Sequence, residues 1–410
     1  MKITNVGRIA KLGGVLILAG VGAWGQRRTA APGLEQLFDD TILHEIRLQM
    51  EPNDWATLVS RYQENTYYKV DMEWGGVQAQ AAGIRSRGNG SRNPFKPGFK
   101  ISFSKFDKAQ RFLGLETLIL DNMWQDDAHM AEQLTMELFR RMGIPAPRES
   151  YAKLFLNGIY IGLYAIVEEI DGSFLTRTMG DRGGYLYEYG WIMNWNFEDL
   201  GDDPATYVPS MFKPVTQTAA ADAIVRLVEF VNGSGDADFE SNIAEHLDVE
   251  RFLTYVAIEA WVSEGDGLTG QWGMNNFYFY RPAESERFLF LPWDKDGTFA
   301  DVDKSVLANL ERNVLVKRLL GIANHAEFYL NKLEELSKEH GGQENWMARV
   351  AERKYNLIRE AVAQDANKRV TENEFEAQAG HVRYFIEHRS DIVSEQVGML
   401  RTAPVLMNGR

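Results

Sequence analysis

Cysteine is missing from all 410 residues, which excludes a disulfide frame, a thiolate metal site, a cysteine nucleophile and a lipoprotein attachment point. Basic charge is scarce as well: 44 Lys and Arg stand against 58 Asp and Glu, a formal net charge of −14. A nucleic-acid groove needs a basic stripe to displace counterions from phosphates, so no nucleic-acid partner is expected. The seven histidines contain no H-E-x-x-H pair, which argues against a zinc hydrolase. Neither a G-x-S-x-G elbow nor a Walker lysine motif is present. Long apolar runs are lacking too. Leu12 to Val21 is too short for a comfortable membrane span, but it follows Lys2, Arg8 and Lys11 and leads into small residues near Ala23. Residues 1–25 therefore read as an export signal or, if retained, as an N-terminal anchor through residues 12–23. The expected location is exported: periplasm, cell envelope or extracellular space.

What is present is a globular core, since 45% of the residues are hydrophobic and 12% aromatic. Residues 26–39 look like a linker. Strand-like alternation follows over Ile42–Gln49 and Tyr67–Trp74, with a helical spacing over Pro52–Tyr62 between them. Gly83–Arg87 and Gly98–Phe103 are short strand candidates flanking R-G-N-G-S, Arg87 to Ser91. Positive charge is concentrated around this loop, from Arg85 to Arg111, in an otherwise acidic chain. Its glycines would let backbone amides approach a ligand, and Arg87 and Lys100 could neutralise phosphates, although a flexible turn with solvated bases fits the same residues. Ala128–Met142 has helical spacing and a Gly143 stop. Ala152–Leu156 and Tyr160–Val167 form a hairpin around Asn157-Gly158. Tyr185–Tyr189 is a further strand, and Trp191–Pro214 reads as a long irregular loop. Helices are expected over Ala221–Val231, Asp238–His246 and Val249–Val262, and again from Val306 to Met399.

The chemistry gathers around one late hairpin. Phe277–Tyr280 and the strand within F-L-F-L-P-W-D-K-D-G-T-F, Phe288 to Phe299, are its two arms. Asp266 and Asn276 precede it and Asp294 follows it, so all three reach the same end. Oxygens of Asn276 and Asp294 could hold Mg²⁺ on a nucleotide while Asp266 accepts a hydroxyl proton; polar residues making ordinary turns are the alternative. Gly265, Gly267 and Gly270 satisfy G-x-G-x-x-G but sit between a helix and a strand, the reverse of a dinucleotide fingerprint. Asp294 and Asp296 in D-x-D-G-T also resemble the first motif of haloacid-dehalogenase-type phosphatases, a fold that needs parallel strands afterwards. Asp294, Asp296, Asp301 and Asp303 fail the EF-hand spacing.

The ordered set R-G-N-G-S with F-K-P-G-F-K-I-S-F, M-G-I-P-A-P-R, L-F-L-N-G-I-Y-I-G-L-Y-A-I-V-E-E-I-D, N-F-Y-F-Y and F-L-F-L-P-W-D-K-D-G-T-F resembles the spore-coat protein H (CotH) kinase family of atypical secreted protein kinases, from about Ile84 to Arg389. The resemblance implies an α+β, atypical protein-kinase-like bilobal fold: a small, mainly antiparallel β lobe with one helix (40–172), a larger helical lobe carrying the catalytic and metal loops (173–402), and a tail (403–410). It implies ATP with Mg²⁺ or Mn²⁺, and phosphoryl transfer to serine or threonine of an exported protein. Asp266 would be the catalytic-loop acid. Asn276, Asp294 and Asp296 would serve the metal. Lys100 would contact the phosphates with Glu132 as its partner, Glu168 would face the adenine hinge, and Arg87, Gly88, Asn89 and Ser91 would line the glycine-rich turn. Gly90 replaces the family's usual serine, and the Asp266–Asn276 segment is longer than the usual kinase gap by an insertion around Thr269–Gly273. The acidic surface favours a basic or Ser-rich acceptor protein. A catalytically inactive binding protein of the envelope with the same fold is the alternative.

Overall fold

The computed structural model describes residues 32–180, 182–216 and 220–402; the expected export signal or anchor, the start of the linker and the 403–410 tail lie outside them. After a single turn of helix, α1 (Leu34–Leu37), the amino-terminal half is built from β1 (Leu43–Gln49), β2 (Tyr68–Trp74), β3 (Val77–Arg87), β4 (Gly98–Ser102), β5 (Thr117–Asp121), β6 (Glu149–Leu156) and β7 (Ile159–Val167). They close into a barrel in the order β1-β2-β3-β4-β5-β7-β6. Every joint is antiparallel except the closing one, where β1 runs parallel to β6 with Leu43 opposite Tyr151. The buried face of β1 puts Ile46 and Leu48 inside with Val70, Ile84, Phe99 and Ile101, as period-2 alternation dictates. Helix α2 (Pro52–Ser60) packs against β2, and α3 (Ala131–Arg141) joins the carboxy-terminal core through Leu134 and Leu138.

Two strands depart from the sequence reading. Strand β3 extends well upstream of Gly83. Strand β5 carries no alternation because both its faces are covered, Leu118 and Leu120 by the barrel interior and Ile119 by a separate cluster with Ile358, Ala361 and Val362.

The carboxy-terminal half contains α4 (Gly172–Met179), β8 (Tyr185–Tyr189), α5 (Pro204–Tyr207), β9 (Phe212–Pro214), α6 (Ala221–Gly233), α7 (Asp236–His246), α8 (Val249–Trp261), β10 (Phe277–Arg281), β11 (Leu289–Pro292), α9 (Val314–Leu320), α10 (Ala323–Glu339), α11 (Trp346–Gln364) and α12 (Glu372–Thr402). The fold is α+β, with strands dominating the first part and helices the last. The stretch expected to be irregular, 191–214, thus holds a short helix and an edge strand. Strands β11-β10-β8-β9 form one antiparallel sheet. Phe277, Phe279 and Phe290 face the helical core, whereas Tyr278, Tyr280 and Leu291 face α4. Because β11 is an antiparallel edge strand and only helices follow it among the described residues, the parallel sheet required by the phosphatase reading is not formed.

The barrel is tied to the late helices by a buried ion pair. Lys96 Nζ lies 2.8 Å from Asp365 Oδ2, both side chains being 1% exposed. The same carboxylate accepts the Leu163 amide of β7, and it crosses Gly162 so closely that a Cβ there would lie 2.6 Å from Oδ2. Removing one charge would strand the other. Lys96→Met is therefore expected to cost about 3–5 kcal/mol in urea denaturation. Adding Asp365→Asn, which keeps an amide acceptor, should recover part of it; a single-variant loss below about 1 kcal/mol would contradict this role.

Candidate active site

A cleft of about 920 Å³ opens between the glycine-rich end of the barrel and the β10–β11 hairpin. On the hairpin side, α8 ends at Trp261 and Ser263 turns the chain with φ 59°. The chain then passes beneath α8 at Gly267, where a Cβ would stand 2.2 Å from Glu259 Oε1, so the residue has to be glycine. This pass presents Asp266 to the cleft. Its Oδ2 accepts from Asn275 Nδ2 at 3.1 Å and from Asn276 Nδ2 at 3.2 Å. The Asn276 amide also donates to the Asp266 carbonyl, leaving its side-chain oxygen as its remaining ligand atom. Beyond β11, Asp294 adopts φ 51° and lines the cleft with Asp296. Lys295, between them, points the other way: its ammonium is fully buried, 2.8 Å from Glu259 Oε1, and donates to the Asn276 carbonyl at 2.8 Å.

On the barrel side, Lys100 of β4 pairs with Glu169 Oε1 at 3.1 Å. Arg87, at the end of β3, bonds Asp121 at 2.5 Å and lies over the Trp293 ring. Gly88 turns with φ 106°, and Asn89 and Ser91 complete the loop along the cleft wall. Arg92 fastens this loop from behind through Ser86 and the carbonyls of Gln63 and Glu64.

Two expected positions need correction. Glu168 does not face the cleft; it is buried and held by Arg148 and Arg177. The residue that turns inward is its neighbour Glu169, because adjacent residues at a strand's end point to opposite faces. Glu132 is not the partner of Lys100 either. It sits on α3 among Glu149, Asp294, Asp121 and Asp296, and burial together with these like charges drives its carboxyl well above the usual range. Lys295, Glu259, Asn275, Glu169 and Asp121 were not singled out from the sequence. The only available signals were a lysine set between two acids and the doubled asparagine and glutamate.

Bases and acids line the cleft in similar number, with Asp266, Asp294 and Asp296 gathered on the hairpin side. Burial pushes Asp294 up to about 6, opposed by Arg87 and reinforced by Asp121 and Asp266. Burial and the Asp294 charge push Asp296 well up. Burial likewise lifts Glu264 to about 7. Burial lowers the Arg87 pKa, but the surrounding carboxylates outweigh it and hold the guanidinium above its ordinary value. Among the described residues, no three His, Asp or Glu side chains converge tightly enough to hold a metal by themselves. Two carboxylates and an amide oxygen beside an open cleft do fit a hard cation that takes its other ligands from water and phosphate.

The family model described as CotH kinase protein matches residues 84–393. The chain belongs to the CotH kinase family. Inner spore coat protein H of Bacillus subtilis (strain 168) is 25% identical over 325 residues, covering 77% of this chain and 87% of that protein. Invasin CotH7 of Rhizopus delemar is 20% identical over 295 residues, 68% of this chain but 46% of the invasin, so the CotH region spans less than half of that relative. Among solved structures, the proinflammatory kinase CtkA of Helicobacter pylori aligns with 74% of this chain and 95% of its own at 10% identity and a TM-score of 0.29, a likeness too slight to bear on the CotH site. No helix among the described residues is long and apolar enough to cross a membrane.

Carboxyl groups raised by burial bind protons more tightly folded than unfolded, so stability falls as pH rises through their folded pKa values. Asp294 at about 6, Glu264 at about 7 and Glu149 at about 8 span that window. The metal-free protein should therefore melt several degrees lower at pH 8 than at pH 5 in calorimetry. A flat or rising profile would contradict the burial of these charges.

Proposed function

We propose that this chain is an exported, ATP-dependent protein kinase that transfers the γ-phosphoryl group to serine or threonine of a secreted or envelope protein. The observation that carries the reading is the gathering of Lys100, Asp266, Asn276, Asp294 and Asp296 with the R-G-N-G-S loop in one cleft. CotH family membership gives the reaction class. Export is supported by the N-terminal pattern and by relatives described as a spore coat protein and invasins.

In this reading the backbone of Gly88–Ser91 and the Lys100 ammonium receive the phosphates, and Glu169 keeps that ammonium aimed across the cleft. Asn276, Asp294 and Asp296 would hold Mg²⁺ or Mn²⁺, which supplies neutralisation of the developing phosphate charge. Asp266, oriented by the two asparagine amides, accepts the proton of the attacking hydroxyl. The new bond joins that oxygen to the γ-phosphorus, the bond to the β-bridging oxygen breaks, and ADP leaves. Positioning and charge do most of the work, since the protein forms no covalent intermediate. The acidic surface favours a basic or Ser-rich acceptor.

ATP with Mg²⁺ or Mn²⁺ should raise the melting temperature, and Asp294→Ala should abolish that shift. Asp266→Asn should keep it while lowering labelled-phosphate transfer by about 10²–10⁴-fold. If the wild-type protein shows no shift, the inactive binding-protein reading takes over.

A further inference from the structure

The cleft has an apolar rim to which the kinase reading assigns no role. Trp191, Ile192, Met193 and Trp272 line its mouth and are 40%, 38%, 62% and 50% exposed. Isolated exposed apolar residues are ordinary, but four large ones lining one mouth mark an interaction surface.

This rim is built to hold its shape. Two loops that are distant in sequence are clasped backbone to backbone: the Asn194 amide donates to the Trp272 carbonyl at 2.7 Å and the Met274 amide to the Trp195 carbonyl at 2.8 Å. The approach is so close at Gly273, φ 98°, that a Cβ would lie 2.7 Å from the Trp195 oxygen. Trp195 itself is buried, stacked on Tyr189 and Phe197 and donating from its indole to the Glu198 carbonyl. The exposed tips of Trp191, Ile192 and Met193 therefore ride on an anchored base.

On the kinase reading, the rim belongs to the acceptor side of the cleft. Trp272 is carried by the loop that runs from Asp266 to Asn276, the segment lengthened around Thr269–Gly273. Its own loop holds the carboxylate that meets the acceptor hydroxyl, whereas Lys100 and the glycine-rich loop stand on the barrel. Beyond the apolar tips, the chain continues into the exposed acids Asp199, Asp202 and Asp203. The first accepts from the Gly201 amide and the Tyr207 hydroxyl and the third from the Ala205 amide, and neither is paired with a cation among the described residues.

We infer that this rim is an acceptor-docking shelf: it seats a bulky apolar side chain close to the phosphorylated hydroxyl of a protein substrate, whose flanking basic residues lie along Asp199–Asp203. The inference deepens the kinase reading and names what its acceptor must carry. The longer loop between Asp266 and Asn276 then has a purpose, to carry Trp272 out to the rim.

The test separates docking from transfer. Short fluorescein-labelled peptides with a central serine and terminal arginines, carrying either phenylalanine or glycine near the serine, are titrated by anisotropy without nucleotide. The phenylalanine peptides should bind about tenfold more tightly than their glycine counterparts. The paired change Trp191→Ala with Trp272→Ala should erase that difference while leaving the MgATP melting shift in place. Met193→Gln, at the most exposed position, should weaken it without risk to folding. Equal binding of both peptide sets, or a preference that survives loss of both tryptophans, overturns the shelf. So does loss of the MgATP shift in the tryptophan variant with the peptide preference intact, which would make the rim a platform for the base. A clear preference without any labelled-phosphate transfer removes the kinase reading and with it the acceptor role, leaving the rim a peptide-binding surface only.

Discussion

The candidate site depends on one buried ion pair, Lys295 with Glu259. Lys295 stands between the two cleft acids, yet its own side chain is turned away, 2.8 Å from a carboxylate on α8 and bonded to the carbonyl that opens β10. One ammonium thus joins the helix before Asp266, the start of the hairpin and its end. Glu259 uses its other oxygen to hold the Leu268 amide, so the loop bearing Asp266 is fixed by the same pair. Burying two charges costs several kcal/mol unless geometry and further hydrogen bonds offset it. Here both extra bonds go to backbone groups of the functional loops. The energy spent on desolvation is returned as position.

A second consequence is electrical. With Lys295 committed to the scaffold and Arg87 bonded to Asp121, the cleft acids Asp294 and Asp296 are left in an environment richer in negative than in positive charge. Their raised pKa values follow first from burial, to which Asp121 and Asp266 add at Asp294 and the Asp294 charge adds at Asp296. On the kinase reading, a bound cation would offset that excess of negative charge and stabilise the fold. The lock at the other end, Lys96 with Asp365, holds the barrel against the late helices without drawing on these charges.

Much of this was legible in the sequence, for identifiable reasons. The hairpin around Asn157-Gly158 declares itself by its turn residues, and β8, β10 and β11 by short aromatic and apolar runs bounded by polar turns. The amphipathic helices from α6 onward show in their spacing. Strand β5 was hidden because a strand covered on both faces has no period to read. Barrel closure through the parallel β1–β6 joint was hidden because pairing between strands about a hundred residues apart leaves no local mark. In the site, residue types that can face a cleft were found, and their partners were missed. Glu168 and Glu169 differ by one position, and one position decides which face of the chain a side chain occupies.

The deepest ambiguity in the sequence was whether Asn276 and Asp294 are turn residues or site residues, and the backbone explains why it could not be resolved there. Both adopt left-handed conformations, φ 57° and 51°. Asn and Asp tolerate that region better than other side chains because their short polar groups bond locally. The hairpin has to turn sharply at its mouth if its two ends are to converge on Asp266, so the residues nearest the convergence must be ones that accept positive φ. Those same residues carry the side-chain oxygens that the kinase reading assigns to a cation. Ser263 at φ 59° and Phe299 at φ 61° lack that excuse and carry a strain of roughly 1–3 kcal/mol each. The Phe299 amide donates to the Val262 carbonyl at 2.7 Å, which binds the two strained turns to each other. Turn geometry and site chemistry are therefore asked of the same residues, and the strain that cannot be relieved by residue choice is held down by the packing around α8.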